Sequence, residues 1–218
     1  MPIQMRRRRP VQLNLPKHSG WGGKRRNAGR KPKGERARVR HTARPPLATR
    51  FPVHVTLRVL PHVWNLRSRR SFRVLGRALS RGGDRFGMRI CEFSIQGNHL
   101  HLITEATDAH ALSRGMQGVS IRIARGLNRV MAHSGHVLAD RFHARILRTP
   151  TEVRHAVRYV RNNRGIHRAR WGESNAAQGN DPYSSASTDH GIVLPDARTY
   201  LLLRARGDPA NTPPPPLP

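Results

Sequence analysis

The stretch MRICEFSIQGNHLHLITE, residues 88–105, decides the fold of this chain. Apolar and β-branched residues run on both sides of the dipeptide Gly97-Asn98. Such a dipeptide between two strand-like runs is typical of a two-residue hairpin turn. The stretch therefore predicts two neighbouring antiparallel strands.

Two histidines stand in the second of these strands. Successive side chains point to opposite faces of a strand, so Leu100 and Leu102 face the core while His99 and His101 face the other side. Imidazoles two residues apart on one face are close enough to share a metal ion. The alternative is a pair of half-exposed histidines on a sheet surface, because a chain with 13 histidines is expected to contain a His-x-His by chance.

The pattern from residue 50 onward predicts alternating strands and helices, since apolar residues recur with strand or helix spacing. The last helix begins at a capping box, in which Glu152 follows Thr149 by three residues. Helices packed on one face of a mostly antiparallel sheet make a ferredoxin-like α+β sandwich, and this is the predicted fold class. The elements are a strand in 51–60, a helix in 71–83, the two hairpin strands, a helix from Asp108 to about Met131, a short strand in 144–150 and a helix from Thr149 to about Asn163.

Two tails of different composition flank this domain, which we place at residues 49–166. Residues 1–48 are rich in Arg, Lys, Pro and Gly, with Glu35 as their only acid, and predict a disordered basic arm. Residues 167–218 are rich in Gly, Ser and Asn and end in PPPPLP, which predicts a flexible tail. Within that tail ARTYLLLRAR, residues 197–206, is a candidate for a short packed element.

The basic arm contains AGRKPKG, residues 28–34, which is similar to an AT-hook, although a lysine is inserted into the Gly-Arg-Pro core of that motif. Arg30, Lys31 and Lys33 are therefore candidate DNA contacts. A merely solvated basic arm is an equal alternative. Either arrangement adds salt-dependent affinity for phosphates.

The charge of the whole chain indicates a polyanionic partner. The formal net charge is +29, carried almost entirely by arginine, which suits bidentate contact with phosphate. Nucleic acid is the favoured partner, and an acidic membrane surface is the weaker alternative. No apolar stretch approaches the roughly 20 residues that a membrane span needs, and no secretory signal is expected. The single cysteine, Cys91, fits a reducing cytoplasm.

The last predicted helix carries a second pair of candidate residues. Tyr159 and Asn163 are four residues apart and so lie on one side of the helix, at the border between its apolar stripe and solvent. The alternative is a surface tyrosine with an asparagine near the helix end.

The order of these motifs resembles the HUH single-tyrosine transposases, in the branch that contains the REP-associated tyrosine transposases. The resemblance rests on the His-x-His strand after a hairpin turn, the basic helix, the segment DRFHARILRTP and the Tyr-x-x-x-Asn helix, and it covers residues 50–166. It implies that Tyr159 is the nucleophile and that His99, His101 and Asn163 bind Mg²⁺ or Mn²⁺. Arg164 stands where this branch often has proline.

The resemblance also implies a reaction and its partners. Tyrosine would attack single-stranded or hairpin DNA, form a 5′-phosphotyrosine and transfer the strand, with Arg158 or Arg161 beside the DNA. Such proteins include both monomers and dimers, so a homodimer is one of the expected states. Two other classes stay open: a non-catalytic nucleic-acid-binding protein of ferredoxin-like fold, and a basic structural or ribosome-associated protein. The scarcity of aromatic residues, 5% of the chain, speaks against an RNA-binding module that stacks bases.

Overall fold

The computed structural model describes residues 45–170 and 180–207. Its elements alternate as the hydrophobic periodicity predicts, with one short extra strand and one extra helix. In chain order they are β1 (Val53–Arg58), α1 (Arg69–Gly82), β2 (Asp84–Arg85), β3 (Met88–Ile95), β4 (His99–Ala106), α2 (Ala109–Met131), β5 (His143–Ile146), α3 (Pro150–Arg170) and α4 (Tyr200–Arg206).

The five strands form one antiparallel sheet in the order β2-β3-β4-β1-β5. The hairpin that joins β3 to β4 turns at Gly97-Asn98, where the Gln96 N–H donates to the His99 carbonyl at 2.8 Å. Helices α1 and α2 cover one face of the sheet and bury Leu100 and Leu102 with the apolar side chains of β1 and β3. The predicted ferredoxin-like α+β class is confirmed.

Helices α3 and α4 form a second layer on the opposite face, whereas the sequence predicts helices on one face. There a smaller core joins Ile103 of β4 and Cys91 of β3 to Val157 and Val160 of α3. A β-bulge between Ile90 and Glu92 shifts the register of β3 against β4. Cys91, the residue at the bulge, packs into this smaller core. The histidine face of β4 is therefore covered in part by α3.

Helix α3 begins as the capping box predicts but extends further than expected. The Glu152 N–H donates to Thr149 Oγ1 at 3.2 Å, and the Thr149 N–H donates to Glu152 Oε2 at 3.2 Å. The capped helical segment ends near Asn163 as predicted, at a kink where the φ of −114° and ψ of 19° of Asn162 are not helical, and a second helical segment continues to Arg170. No proline follows the kink, so the chain can resume helical geometry.

Residues 180–207 are packed against the sheet, although the sequence predicts a flexible tail over most of this segment. The candidate packed element at 197–206 is confirmed, since it forms α4 and buries Leu202 and Leu203. The buried Asp181 binds Arg67 through both carboxylate oxygens, at 2.6 and 2.9 Å. The buried Glu105 accepts from the backbone N–H groups of Arg198 and Thr199, where α4 begins. Polar contacts to buried carboxylates hold this segment, and a hydrophobic pattern does not reveal such contacts.

The sequence also predicts a disordered basic arm and the lack of a membrane span. The basic arm, including its AT-hook-like segment, lies outside the described residues apart from positions 45–48. Within 45–170 and 180–207 no helix is both long and apolar enough to cross a bilayer.

Candidate active site

The two histidines of β4 lie on the face away from Leu100 and Leu102, as strand alternation predicts. His101 is buried, with 6% of its surface exposed, and His99 is half-buried. Their Nε2 atoms are 3.1 Å apart, and their rings meet edge to face. The two imidazoles thus present nitrogen atoms to one point on the sheet surface.

Tyr159 of α3 reaches the same point. Val153, Val157 and Val160 bury one side of α3 against the sheet, which leaves Tyr159 half-buried at the edge of this contact. Its hydroxyl lies 3.5 Å from His101 Nε2, at the limit of a hydrogen bond. Residues that are 58 positions apart in the sequence therefore converge in the fold.

Asn163 is fully buried one turn beyond Tyr159, and its amide is unsatisfied. Neither Oδ1 nor Nδ2 has a hydrogen-bond partner among the described residues, the two histidines included. An unsatisfied buried amide costs about 1–3 kcal/mol. A buried oxygen acceptor without a donor is the kind of group that a bound cation would satisfy.

His54 of β1 completes the cluster, and sequence reasoning missed it. Its Nε2 lies 3.2 Å from His101 Nδ1, and Thr56 Oγ1 lies 3.3 Å from the same atom. Burial, followed by the charges of His143 and Arg145, lowers the pKa of His54 to about 4, so this imidazole is neutral near pH 7. Alternation along β1 puts His54 on the same face of the strand as Thr56. The contact of His54 with His101 follows from the register between β1 and β4, in which Thr56 pairs with His101.

The two arginines that the sequence placed beside the DNA have different surroundings. Arg158 is exposed on α3. Arg161 binds Glu92 with two nitrogens, at 3.1 and 3.2 Å, so its guanidinium is engaged in an ion pair and not with the tyrosine hydroxyl. Arg30, Lys31 and Lys33 lie outside the described residues.

Glu92 is a buried carboxylate beside the candidate site. It receives Arg161 from α3, Arg206 from α4 at 2.8 Å and the hydroxyl of Ser185. Ser94, two residues further along β3, pairs with His101. Glu92 therefore anchors the helix that carries Tyr159 to the strand beside the histidines.

The spacing of the two histidines fits a divalent cation. Two nitrogen ligands bound to one ion at about 2.1 Å lie about 3.0 Å apart when the angle at the ion is near 90°, which is close to the separation of the two Nε2 atoms. The part of the chain that the structure describes contains no group of three His, Cys, Asp or Glu side chains arranged for a metal. A third protein ligand would therefore be a group of another kind, and the unsatisfied Asn163 amide carries such an oxygen one turn beyond Tyr159.

A tyrosine outside the cluster is also packed. The Tyr183 ring meets Phe72 edge to face at 4.8 Å, and the Arg67 guanidinium lies 4.1 Å from the centre of the Tyr183 ring. The sequence placed Tyr183 beyond the compact domain, and this placement is wrong because the segment that starts at Asp181 returns to the sheet.

No protein-family model and no curated protein matches this chain. Its fold is similar to that of a REP-associated tyrosine transposase solved with a bound REP hairpin, with a TM-score of 0.52 and 14% sequence identity over 73% of this chain and 92% of that chain. A candidate transposase from Deinococcus radiodurans R1 shares 12% identity over 64% of this chain and 98% of that one, and its TM-score of 0.39 is too low to inform on fold or function. This chain thus shares the fold of the REP-associated tyrosine transposase over 73% of its length.

Proposed function

We propose that this chain cleaves single-stranded DNA and transfers the cleaved strand through a covalent link to Tyr159. The observation that carries the proposal is the 3.5 Å approach of the Tyr159 hydroxyl to His101 Nε2, beside His99. A phenol on a helix edge above two imidazoles, within a fold of this kind, has the parts that a tyrosine nuclease needs. The REP hairpin in the similar structure makes hairpin DNA a reasonable substrate for this chain.

In the proposed reaction the Tyr159 oxygen attacks a backbone phosphorus atom. The bond from phosphorus to the 3′ oxygen breaks, so the tyrosine becomes joined to the 5′ phosphate and a 3′ hydroxyl is released. The phenol loses one proton and the leaving oxygen gains one, so the step is balanced. Because one phosphodiester replaces another, attack by a 3′ hydroxyl can reverse the step and join a new strand without ATP.

The surroundings of Tyr159 suit attack on an exposed, sharply placed phosphate. Tyr159 is half-buried on a helix that is anchored through Arg161 to Glu92, so its hydroxyl has a restricted range of positions. Restricting the nucleophile in this way lowers the entropic part of the barrier. Arg158, exposed one residue before Tyr159, can contact the phosphates that flank the attacked bond.

A phenol has an ordinary pKa near 10 and attacks poorly at neutral pH without assistance. A divalent ion held by His99, His101 and Asn163, when bound, would polarise the scissile phosphate and offset charge on its oxygens. Mn²⁺ accepts imidazole ligands more readily than Mg²⁺, which prefers oxygen ligands, so we propose Mn²⁺ or Mg²⁺ with Mn²⁺ as the first to test. His101 keeps a lone pair on Nε2 when its Nδ1–H donates to the neutral His54.

The experiment uses the full chain and a pool of single-stranded DNA of random sequence with MnCl₂. Complexes that survive boiling in SDS are isolated, and their DNA is sequenced and its ends are mapped. The proposal expects DNA joined to protein at its 5′ end, with a free 3′ hydroxyl on the released fragment. DNA binding without a denaturation-resistant complex would favour a non-catalytic nucleic-acid-binding protein instead.

A further inference from the structure

The segment DPYSSAS, residues 181–187, lies along the edge of β3 that β4 does not occupy, and we call it the strap. Ser184 of the strap forms an antiparallel bridge with Ser94 of β3. On either side of this bridge, backbone hydrogen bonds of 2.8 and 2.9 Å join the strap to β3. Ser94 pairs in turn with His101 on β4. The strap is therefore separated by one strand from a histidine of the candidate site.

The start of the strap is held by contacts that do not involve α3. The Arg67 guanidinium binds the buried carboxylate of Asp181, and it also donates to the Ile95 carbonyl at 2.9 Å. The Asp181 carbonyl accepts from the Ser184 N–H at 3.0 Å, which closes a turn. A turn that is fixed against β3 thus presents the two serines that follow it to α3.

Two consecutive serines of the strap hold the same residue of α3. Ser184 is fully buried, and its Oγ donates to the Arg161 carbonyl at 3.1 Å, sharing its proton with a carbonyl of the strap's own turn at 3.0 Å. The Arg161 side chain binds Glu92, which also accepts from the Ser185 hydroxyl. The strap therefore holds Arg161 directly through its backbone, and indirectly through the carboxylate of its ion pair.

The Arg161 carbonyl belongs to the peptide group directly before the kink of α3. The next rotatable bond is the φ of Asn162, which is −114° where a regular helix has about −63°. A hydrogen bond to this carbonyl therefore restricts the direction in which the chain turns at Asn162. Tyr159 lies before the kink and Asn163 lies directly after it, so the kink sets how these two side chains face the histidines.

We propose that Ser184 is a positioning residue for Tyr159 and Asn163. The strap is then part of the catalytic unit, although it lies outside the domain that the sequence places at 49–166. This inference rests on the proposed function, because a positioning role requires a reaction at Tyr159. A nucleophile that is displaced by about 1 Å can lose on the order of 100-fold in rate, so a single hydrogen bond at the kink matters for the chemistry.

The test compares three variants of the full chain. S184A removes the hydroxyl that holds the Arg161 carbonyl. S187A makes the same change in the same strap, at a buried serine whose hydroxyl bonds to Asp189 at 3.3 Å. I123V shortens a side chain in the core between α1, α2 and the sheet, and so lowers stability away from α3. Thermal melts record the stability of each variant.

The first readout is hydrogen exchange of the metal-free protein, measured by mass spectrometry. Without the Ser184 hydroxyl, the backbone amides of residues 159–163 should exchange roughly 2- to 10-fold faster, as expected for the loss of one hydrogen bond. S187A and I123V should leave this segment at the rate of the wild type. Exchange in S184A that matches the wild type would overturn the proposal, because the kink would then not depend on Ser184.

The second readout is the rate of adduct formation with MnCl₂ and a saturating single-stranded DNA that the wild type cleaves. DNA affinity is measured separately in EDTA. S184A should form the adduct about 10- to 100-fold more slowly at unchanged DNA affinity, because the buried hydroxyl acts on the nucleophile and not on binding. S187A and I123V should react like the wild type.

Two results would show that Ser184 has only a structural role and would overturn the proposal. One is an S184A variant that reacts as fast as the wild type, and the other is an equal loss of rate in I123V. A wild-type protein that forms no adduct would refute the proposed cleavage itself, and the positioning role with it.

Discussion

His54 Nε2 lies 3.2 Å from His101 Nδ1, across the pairing of β1 with β4. A histidine that binds a metal through one ring nitrogen usually donates the other N–H to a fixed acceptor, which sets the tautomer and the ring orientation. Because its pKa is lowered to about 4, His54 is neutral near pH 7 and can be that acceptor. His54 therefore acts as a positioning residue for His101 in the proposed site.

Replacing His54 by phenylalanine keeps a ring against Tyr159 but removes the acceptor. We expect the Mn²⁺ concentration for half-maximal DNA adduct to rise about 10- to 100-fold, while the yield recovers at high Mn²⁺. The exposed His62 provides the control, since H62F leaves the cluster untouched. An unchanged Mn²⁺ dependence in H54F would show that His101 does not rely on His54.

Asn163 offers a test in which the stability of the metal-free protein and its stabilisation by Mn²⁺ change in opposite directions. In EDTA, N163L removes an unsatisfied buried amide, so the free energy of unfolding should rise by about 1–2 kcal/mol. Wild-type protein should gain stability when Mn²⁺ is added, because a ligand that binds only the folded state stabilises it, and the variant should lose most of this gain. Urea titrations with and without Mn²⁺ measure both effects. A variant that is less stable in EDTA would mean that the amide has a structural partner.

Glu92 is expected to be a stabilising residue for the layer of α3 and α4. E92Q leaves Arg161 and Arg206 without their carboxylate, and breaking a buried ion pair of this kind costs roughly 3 kcal/mol. This figure is at the low end because the Arg161 side chain is 37% exposed and can be rehydrated. Urea denaturation at neutral pH measures the loss. D84N, at an exposed carboxylate beside Arg89, should change stability by less than about 0.5 kcal/mol, and equal effects of the two changes would contradict this role.

The capping box of α3 should make a small, pH-dependent contribution to stability. The Arg148 N–H, followed by the Arg145 side chain, lowers the pKa of Glu152 below 4.5, its ordinary value. The stabilisation is therefore complete above the unfolded pKa and is lost as the pH falls through the folded pKa. E152Q should lower the melting temperature slightly at pH 7 and by less at about pH 3. A difference of the same size at both pH values would exclude the carboxylate as its source.

The sequence predicted much of the fold because the decisive signals are local. Strand alternation placed His99 and His101 on the face away from Leu100, and the Thr149-Glu152 box placed the start of α3. The contact of His54 with His101 could not be predicted, because it depends on the register between strands that are distant in the chain. Helix periodicity brought Tyr159 and Asn163 to one side of α3, but it gives no sign of the kink at Asn162.

The packing of residues 180–196 lay beyond the sequence for a different reason. These residues include few apolar side chains, so the sequence gives little sign of their burial. Here Asp181 with Arg67, and Glu105 with the start of α4, supply the contacts. Such pairs become visible only when the fold brings the partners together.

The measurement that tests the central claim most directly is the location of the DNA adduct. Wild-type protein is incubated with MnCl₂ and a single-stranded DNA that it cleaves, and is then denatured in SDS, digested and analysed by mass spectrometry. The account predicts a nucleotide on the peptide that contains Tyr159, loss of the adduct in Y159F and in EDTA, and no loss in Y200F, whose hydroxyl accepts from Arg204 on α4. An adduct on another residue, or one that persists in Y159F, would contradict it.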